Sequence, residues 1–441
     1  MDPIKRKFIS KAEPQAAEIK KIIKENGSFV LGQYTVEQVY QGMKGMIGMV
    51  TETSKLDAEE GIRFRGYSIP ELLQLLAQNK ESGLEPLPEA MFYLLLTGEI
   101  PTADEIDIIN TEWTMRSTVP KHVFDMLDML PAKTHPMTQF SMAIMALQTE
   151  SVFARRYRDG MNKKDYWDPM YEDVMNLIAR LPRIAAYIYR NTYKDGVHIE
   201  PDPKLDWAGN FAHMLGFDTN EFKTLMRLYL TIHVDHEGGN VSAHTTHLVG
   251  SALSDAYLAL AAGMNGLAGP LHGLAAQEVA RWIIELRERY NGVPTKEQLT
   301  DYIKQTLADG KVVPGYGHAV LRKTDPRYLA QQIFAKRYMA DDELFKIVQL
   351  LYDVTPEILK ATGKIKNPWP NVDAHSGILL THYGLVEYDF YTVLFGVSRA
   401  IGVLTSLLWD RALGSPIERP SSVTTEWIKN AVISDTPVSV E

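Results

Sequence analysis

Apolar side chains return every three or four residues over most of this chain, a period that fits one face of an α-helix and not a half-buried strand. Leu271, Leu274, Ala275, Val279, Trp282, Ile283 and Leu286 trace such a face toward about Arg289. Similar patterns cover 102–118, 137–150, 219–233, 342–359 and 388–411. Thr102 with Glu105, and Thr295 with Gln298, read as capping boxes that start helices. Strand alternation is scarce: Gly61-Ile62-Arg63-Phe64-Arg65-Gly66 predicts at most a small hairpin near 55–66. The expected fold class is all-α.

With 441 residues, 45% of them apolar, the chain can bury a large core and divide into two or three units. Breaks fall at Asp202-Pro203, Gly292-Val293-Pro294 and Asn367-Pro368-Trp369-Pro370-Asn371. A complete lack of cysteine removes disulfides, thiolate metal sites and cysteine nucleophiles. The net charge of −9, with only short basic runs such as Lys5-Arg6-Lys7 and Lys20-Lys21, argues against a nucleic-acid partner. Ala256 to Gln277 has no acidic or basic residue, yet it contains Asn265, Gly269-Pro270 and His272 and is flanked by Asp255 and Glu278. A buried, interrupted helical segment is expected there, not a membrane span. Met1 to Gln15 lacks the apolar run of a secretory signal. Nothing in the composition restricts the redox compartment, and a reducing cytosol or organelle interior fits. Asn240-Val241-Ser242 matches a glycosylation sequon and is read as chance.

Three loops carry the chemistry: Gly269-Pro270-Leu271-His272-Gly273, Pro314-Gly315-Tyr316-Gly317-His318 and Asn371-Val372-Asp373-Ala374-His375. Two imidazoles and a carboxylate suffice to take a proton from carbon while a neighbouring carbonyl is polarised. Pro270 suits a helix start, which would place His272 in a first turn, where the positive dipole end disfavours an imidazolium. A histidine capping a turn is the plainer alternative. Gly315 and Gly317 let backbone approach a ligand, although a simple turn would use them equally. Asp325-Pro326 reads as an N-cap followed by proline, setting Arg327 at a helix start where a carboxylate could dock. Asp373 is either an N-cap or, in a closed apolar cleft, a carbon-acid base. His233, His236, His244 and His247, joined by Asp235 and Glu237, suggest a metal site as the sharp alternative. The second histidine of H-E-x-x-H is missing, however, and Gly238-Gly239 breaks the helix that motif requires.

In combination the chain resembles the citrate synthase family, of the type found in mitochondria and some bacteria. The likeness runs through Glu60 to Tyr67, Asp235 to Asn240, the three loops, Gly396-Val397-Ser398-Arg399 and Glu418-Arg419-Pro420. It implies a large domain (1–273 and 389–441), a small domain (274–388) closing over substrate, a homodimer, and neither metal nor other cofactor. It implies condensation of acetyl-CoA with oxaloacetate and water to citrate and CoA. Asp373 would abstract the methyl proton, His272 would hold the thioester oxygen, and His318 would polarise the ketone. His236, Arg327 and Arg399 would bind oxaloacetate together with Arg419 of the partner subunit. Val312, Val313, Pro314, Gly315, Tyr316 and Gly317 would line the CoA site, with Arg322 and Lys366 near its phosphates. The alternatives are a 2-methylcitrate synthase taking propionyl-CoA and, from another class, a metal-dependent hydrolase built on His233 to His247. The expected location is bacterial cytoplasm or mitochondrial matrix.

Overall fold

The computed structural model describes residues 2–76, 85–318, 320–363 and 365–434. Among them lie twenty α-helices and one three-stranded antiparallel sheet, so the all-α expectation holds. Both capping boxes form, opening the helices Ala103–Arg116 and Lys296–Ala308. The centre of the molecule is the helix Tyr391–Leu413, packed on Trp167–Tyr193, Val241–Ser251 and Ala256–Leu267. By length and composition the stretch Tyr388–Leu413 could cross a membrane, but 89% of its most apolar window is buried inside the fold. It is a core helix.

Five helices, Ala275–Tyr290, Lys296–Ala308, Pro326–Tyr338, Glu343–Ala361 and Asp373–His382, pack chiefly on one another. One of them, Pro326–Tyr338, also meets Asn220–Ile232 and Ile69–Leu75. The predicted hairpin pairs Ser54–Asp57 with Gly61–Phe64, in the register Ser54↔Phe64 to Asp57↔Gly61. Its turn rests on the helix that carries Arg327: Gly61 has φ +82°, and a Cβ added there would lie 2.4 Å from Pro326 Cδ. Only glycine fits.

One local expectation fails. The apolar face drawn from Leu271 does not begin a helix, because the chain turns between Gly269 and Gly273 and the helix starts at Ala275. Leu271 is fully exposed. Gly273 is packed so tightly that a Cβ would sit 2.2 Å from the Leu267 carbonyl oxygen, which forces a turn of backbone against backbone. Ala256–Leu267 is the short buried helix before this interruption.

Candidate active site

Two of the three loops are zipped together. Gly317 N–H donates to Trp369 O at 3.1 Å and Asn371 N–H to Gly315 O at 2.9 Å, around a bridge between Tyr316 and Pro370. Gly315, at φ +77°, is the contact point: an added Cβ would lie 2.8 Å from Ala374 Cα and 3.0 Å from Val279 Cγ2. The glycine thus touches both the helix beginning at Asp373 and the helix that follows His272.

His272 sits in the turn and not in a helical first turn, so the dipole argument for its neutrality does not apply. Burial and then the nearby Arg399 guanidinium lower its pKa to about 4. Ser242 N–H donates to its Nε2 at 3.3 Å, and Ser242 Oγ lies 2.9 Å away. A backbone N–H can only donate, so Nε2 accepts and the ring proton sits on Nδ1. The Arg399 guanidinium bonds Ser242 Oγ and Asn240 Oδ1, both at 3.3 Å, and the His233 carbonyl at 3.3 Å.

His318 has the opposite tautomer. Val320 N–H and Leu321 N–H donate to its Nδ1 at 3.0 and 3.1 Å, leaving the proton on Nε2. Burial, then Arg327, hold it neutral. His236 stands beside it, with ring centroids 6.0 Å apart. The His236 Nε2 is buried without a hydrogen-bond partner. Burial and the charges of Arg327 and Arg399 keep this ring well below its ordinary pKa.

Asp325 caps Pro326–Tyr338 as expected, but it also grips Arg327: Nη2 donates to Oδ2 at 2.7 Å and Nε to Oδ1 at 3.1 Å. Part of the guanidinium is therefore spent inside the protein, which fixes its orientation. The N-cap reading of Asp373 is excluded. Asp373 is the first helical residue, and Asn371 Oδ1 accepts its N–H at 3.0 Å. Its carboxylate takes no hydrogen bond from any described residue. Burial raises its pKa to about 6, against the opposing pull of Arg327. Arg327 thus influences Asp373, His236 and His318 together, and Arg399 influences Asp373, His236 and His272. Residues far apart in sequence converge on one cleft.

Other expected site residues are more scattered. Val313 is buried and Val312 exposed. Pro314 to Gly317 line the zipped loop, half-buried. Arg322 Nη1 curls back to the carbonyls of Val320 and Leu321 at 2.7 and 2.9 Å, and Lys366 is exposed. Arg419 is exposed and bonds to no described residue, so it does not join this chain's own cluster. The histidine-rich stretch disperses. His233 donates from Nδ1 to Tyr229 O at 2.8 Å in the core, while His244 and His247 bond Glu418 and Asp410 at 2.8 and 2.7 Å. No group that could hold a metal occurs among the described residues, so the metal-dependent hydrolase is not favoured.

The contacts made by Ser242, Asn240 and Asp235 are not evident from the sequence, where Asp235 counts only with the metal alternative and the family likeness. Asp235 receives hydroxyls from Thr53 and Ser54 at 2.6 and 2.7 Å, clamping the hairpin to the turn at His236. Asn240, the first residue of the sequon, caps Val241–Ser251 and donates to His236 O and Glu237 O at 2.9 Å each. The usable signal was an Asn two residues ahead of a Ser at a helix start.

Fold and site together define an all-α enzyme built for acid–base chemistry at carbon. The "Citrate synthase, C-terminal domain" family model matches residues 42–421. "Citrate synthase, mitochondrial" of Daucus carota is 58% identical over 94% of this chain and 88% of its own length. "Probable citrate synthase, mitochondrial" of Glossina morsitans morsitans is 57% identical over 96% and 91%. The crystal structure of citrate synthase from Pyrobaculum aerophilum, 27% identical, superposes with a TM-score of 0.76 over 87% of this chain and 92% of that one. A Thermoplasma acidophilum citrate synthase, a ternary complex with carboxymethyl coenzyme A and oxaloacetate, shares the fold at 22% identity and a TM-score of 0.73, over 91% and 97%.

The chain belongs to the citrate synthase family. It is an acyltransferase of the tricarboxylic acid cycle, condensing acetyl-CoA with oxaloacetate and water to citrate and CoA. Relatives named citrate synthase do not favour the propionyl-CoA alternative.

Proposed function

We propose that Asp373 is the base, His272 the donor to the thioester oxygen and His318 the donor to the ketone of oxaloacetate. The observation that carries this reading is a complementary pair of tautomers and an unsatisfied carboxylate gathered around the same two guanidinium groups, Arg327 and Arg399. His272 offers Nδ1–H, His318 offers Nε2–H, and Asp373 has nothing else to bind. Asp373 takes a methyl proton of acetyl-CoA, and the electron pair moves onto the thioester oxygen, held by His272 Nδ1–H. The new nucleophilic carbon attacks the ketone carbon, whose oxygen is held by His318 Nε2–H; that oxygen gains one proton in all and Asp373 gives up the one it took, so both residues end as they began. Water then cleaves the resulting thioester to citrate and CoA. Drawn this way, the reaction calls on neither metal nor redox group.

His236, Arg327 and Arg399 bind the oxaloacetate carboxylates. Two fixed cations and an imidazole whose Nε2 lacks a protein partner suit a small dianion. Val312 to Gly317, with Arg322 and Lys366, form the CoA side. Residues 274–388 act as a small domain that closes on 1–273 and 389–441, in keeping with the five helices that pack on one another. Closure would exclude water while the carbanion exists. Arg419 serves the active site of a second copy. In support, Phe29, Val30, Leu31, Tyr34, Ile47, Val50 and Ile417 are exposed, an apolar arm that a homodimer would cover. The mitochondrial names of the relatives support a place in the mitochondrial matrix and give the bacterial cytoplasm none.

The deciding experiment compares kcat/KM for acetyl-CoA and propionyl-CoA in wild type and in Asp373→Ala, with oxaloacetate binding measured alongside. Preference for acetyl-CoA, lost turnover and retained oxaloacetate binding are expected. A propionyl-CoA preference, or an active Asp373→Ala, would overturn the reading.

A further inference from the structure

Beneath the cleft lie polar side chains that the reaction as drawn does not use. Gln331 stands one helical turn behind Arg327 in Pro326–Tyr338, and Ser376 one turn behind Asp373 in Asp373–His382. His375 precedes Ser376 and meets Tyr328, the neighbour of Arg327, with ring centroids 5.4 Å apart. Phe345 also meets the imidazole, with ring centroids 5.6 Å apart. The two helices pack on each other; Gln331 and Ser376 share a helix face with Arg327 and Asp373, and His375 lies across the helix from Asp373, against Tyr328 of the neighbouring helix.

All three are buried: Gln331 and His375 are 0% exposed and Ser376 1%. Both amide atoms of Gln331 and the Ser376 hydroxyl make no hydrogen bond, and neither ring nitrogen of His375 reaches another residue. Leucine, phenylalanine and alanine would fill the same space without stranding any polar atom. Interior polar groups that lack a protein partner are characteristically met by ordered water. A neutral imidazole offers one donor and one acceptor, and a glutamine amide offers donors and an acceptor, so bridging water can satisfy both.

We propose that Gln331, His375 and Ser376 form an internally hydrated layer that ties these two helices and sets where Asp373 stands relative to Arg327. They are positioning residues, and their role rests on the reading of Asp373 as the base. Gln331 and Ser376 lie one turn from Arg327 and Asp373, and His375 packs on the helix that carries Arg327, so a shift in the layer moves both helices at the cleft.

The test is steady-state kinetics with pH profiles and unfolding midpoints for Gln331→Leu, His375→Phe and His375→Gln, beside Asp373→Ala. The two apolar variants should lower kcat about tenfold or more, since small misplacement of reacting groups is costly. They should also shift the acid limb of kcat/KM upward while the unfolding midpoint holds or rises. His375→Gln, which keeps a donor and an acceptor, should recover most of the loss. Wild-type kcat and acid limb in both apolar variants would overturn the proposal, as would a change confined to the unfolding midpoint. Near-normal turnover in Asp373→Ala would defeat the underlying reading and the proposal with it. An inactive Asp373→Ala beside unaffected apolar variants would defeat the proposal alone.

Discussion

Asp373 shows how one side chain's surroundings set both rate and stability. Burial lifts its pKa to about 6, and a base must be ionised to act. kcat/KM for acetyl-CoA is expected to rise with pH through about 6 and then level, with no matching basic limb from His272 or His318, which are already neutral. The same shift runs against folding. Below the unfolded carboxylate pKa both states are protonated and nothing is lost. As pH rises toward 6 the unfolded chain ionises first, and the cost to the native state is complete above 6. Asp373→Asn should therefore stabilise the fold by up to ~3 kcal/mol at pH 8 and by less at pH 5, measured by denaturant unfolding at both values. A gain independent of pH would contradict the assigned cause. At this scale the sequence was legible in residue types, because His272, His318, Asp373 and Arg327 stand in short, recognisable loops. It was not legible in their partners. Ser242 fixes the His272 tautomer from thirty residues away in sequence, and no local pattern announces a contact of that kind.

Among the elements, the loops are held by backbone, and glycine makes that possible. Gly315 combines a left-handed φ of +77° with a packing so close that an added Cβ would lie 2.8 Å from Ala374. Gly315→Ala should destabilise the fold by about 1–3 kcal/mol and raise KM for acetyl-CoA, because the loop would pull away from the Asp373 helix. An unchanged unfolding midpoint would show that the loop does not bear on that helix. Helix positions were readable because capping boxes and apolar spacing are local facts: Thr102 and Thr295 cap where expected. The start of the helix after His272 was not readable. Leu271 and Leu274 continue its spacing in the sequence, whereas the close packing of Gly273 on Leu267, a tertiary fact, bends the chain out of the helix.

For the whole molecule, the question is whether one chain makes a complete site. Arg419 is exposed and unbonded to any described residue here, and the arm from Phe29 to Val50 presents apolar side chains outward. If two copies share their sites, Asp373→Ala chains mixed with Arg419→Ala chains should recover roughly a quarter of wild-type activity, since half the dimers are mixed and each holds one intact site. No recovery in mixed dimers shown to form would contradict sharing. Within each site, the proposed chemistry has one carboxylate and two neutral imidazoles act on a single bound pair of reactants. Its most direct test is the rate of thiol release from acetyl-CoA, with and without oxaloacetate, for wild type and Asp373→Ala. The chain's own lack of cysteine keeps the thiol background low. The account predicts oxaloacetate-dependent release in wild type and a fall of about a thousandfold or more in the variant; release that ignores oxaloacetate, or that persists without the Asp373 carboxylate, would contradict it.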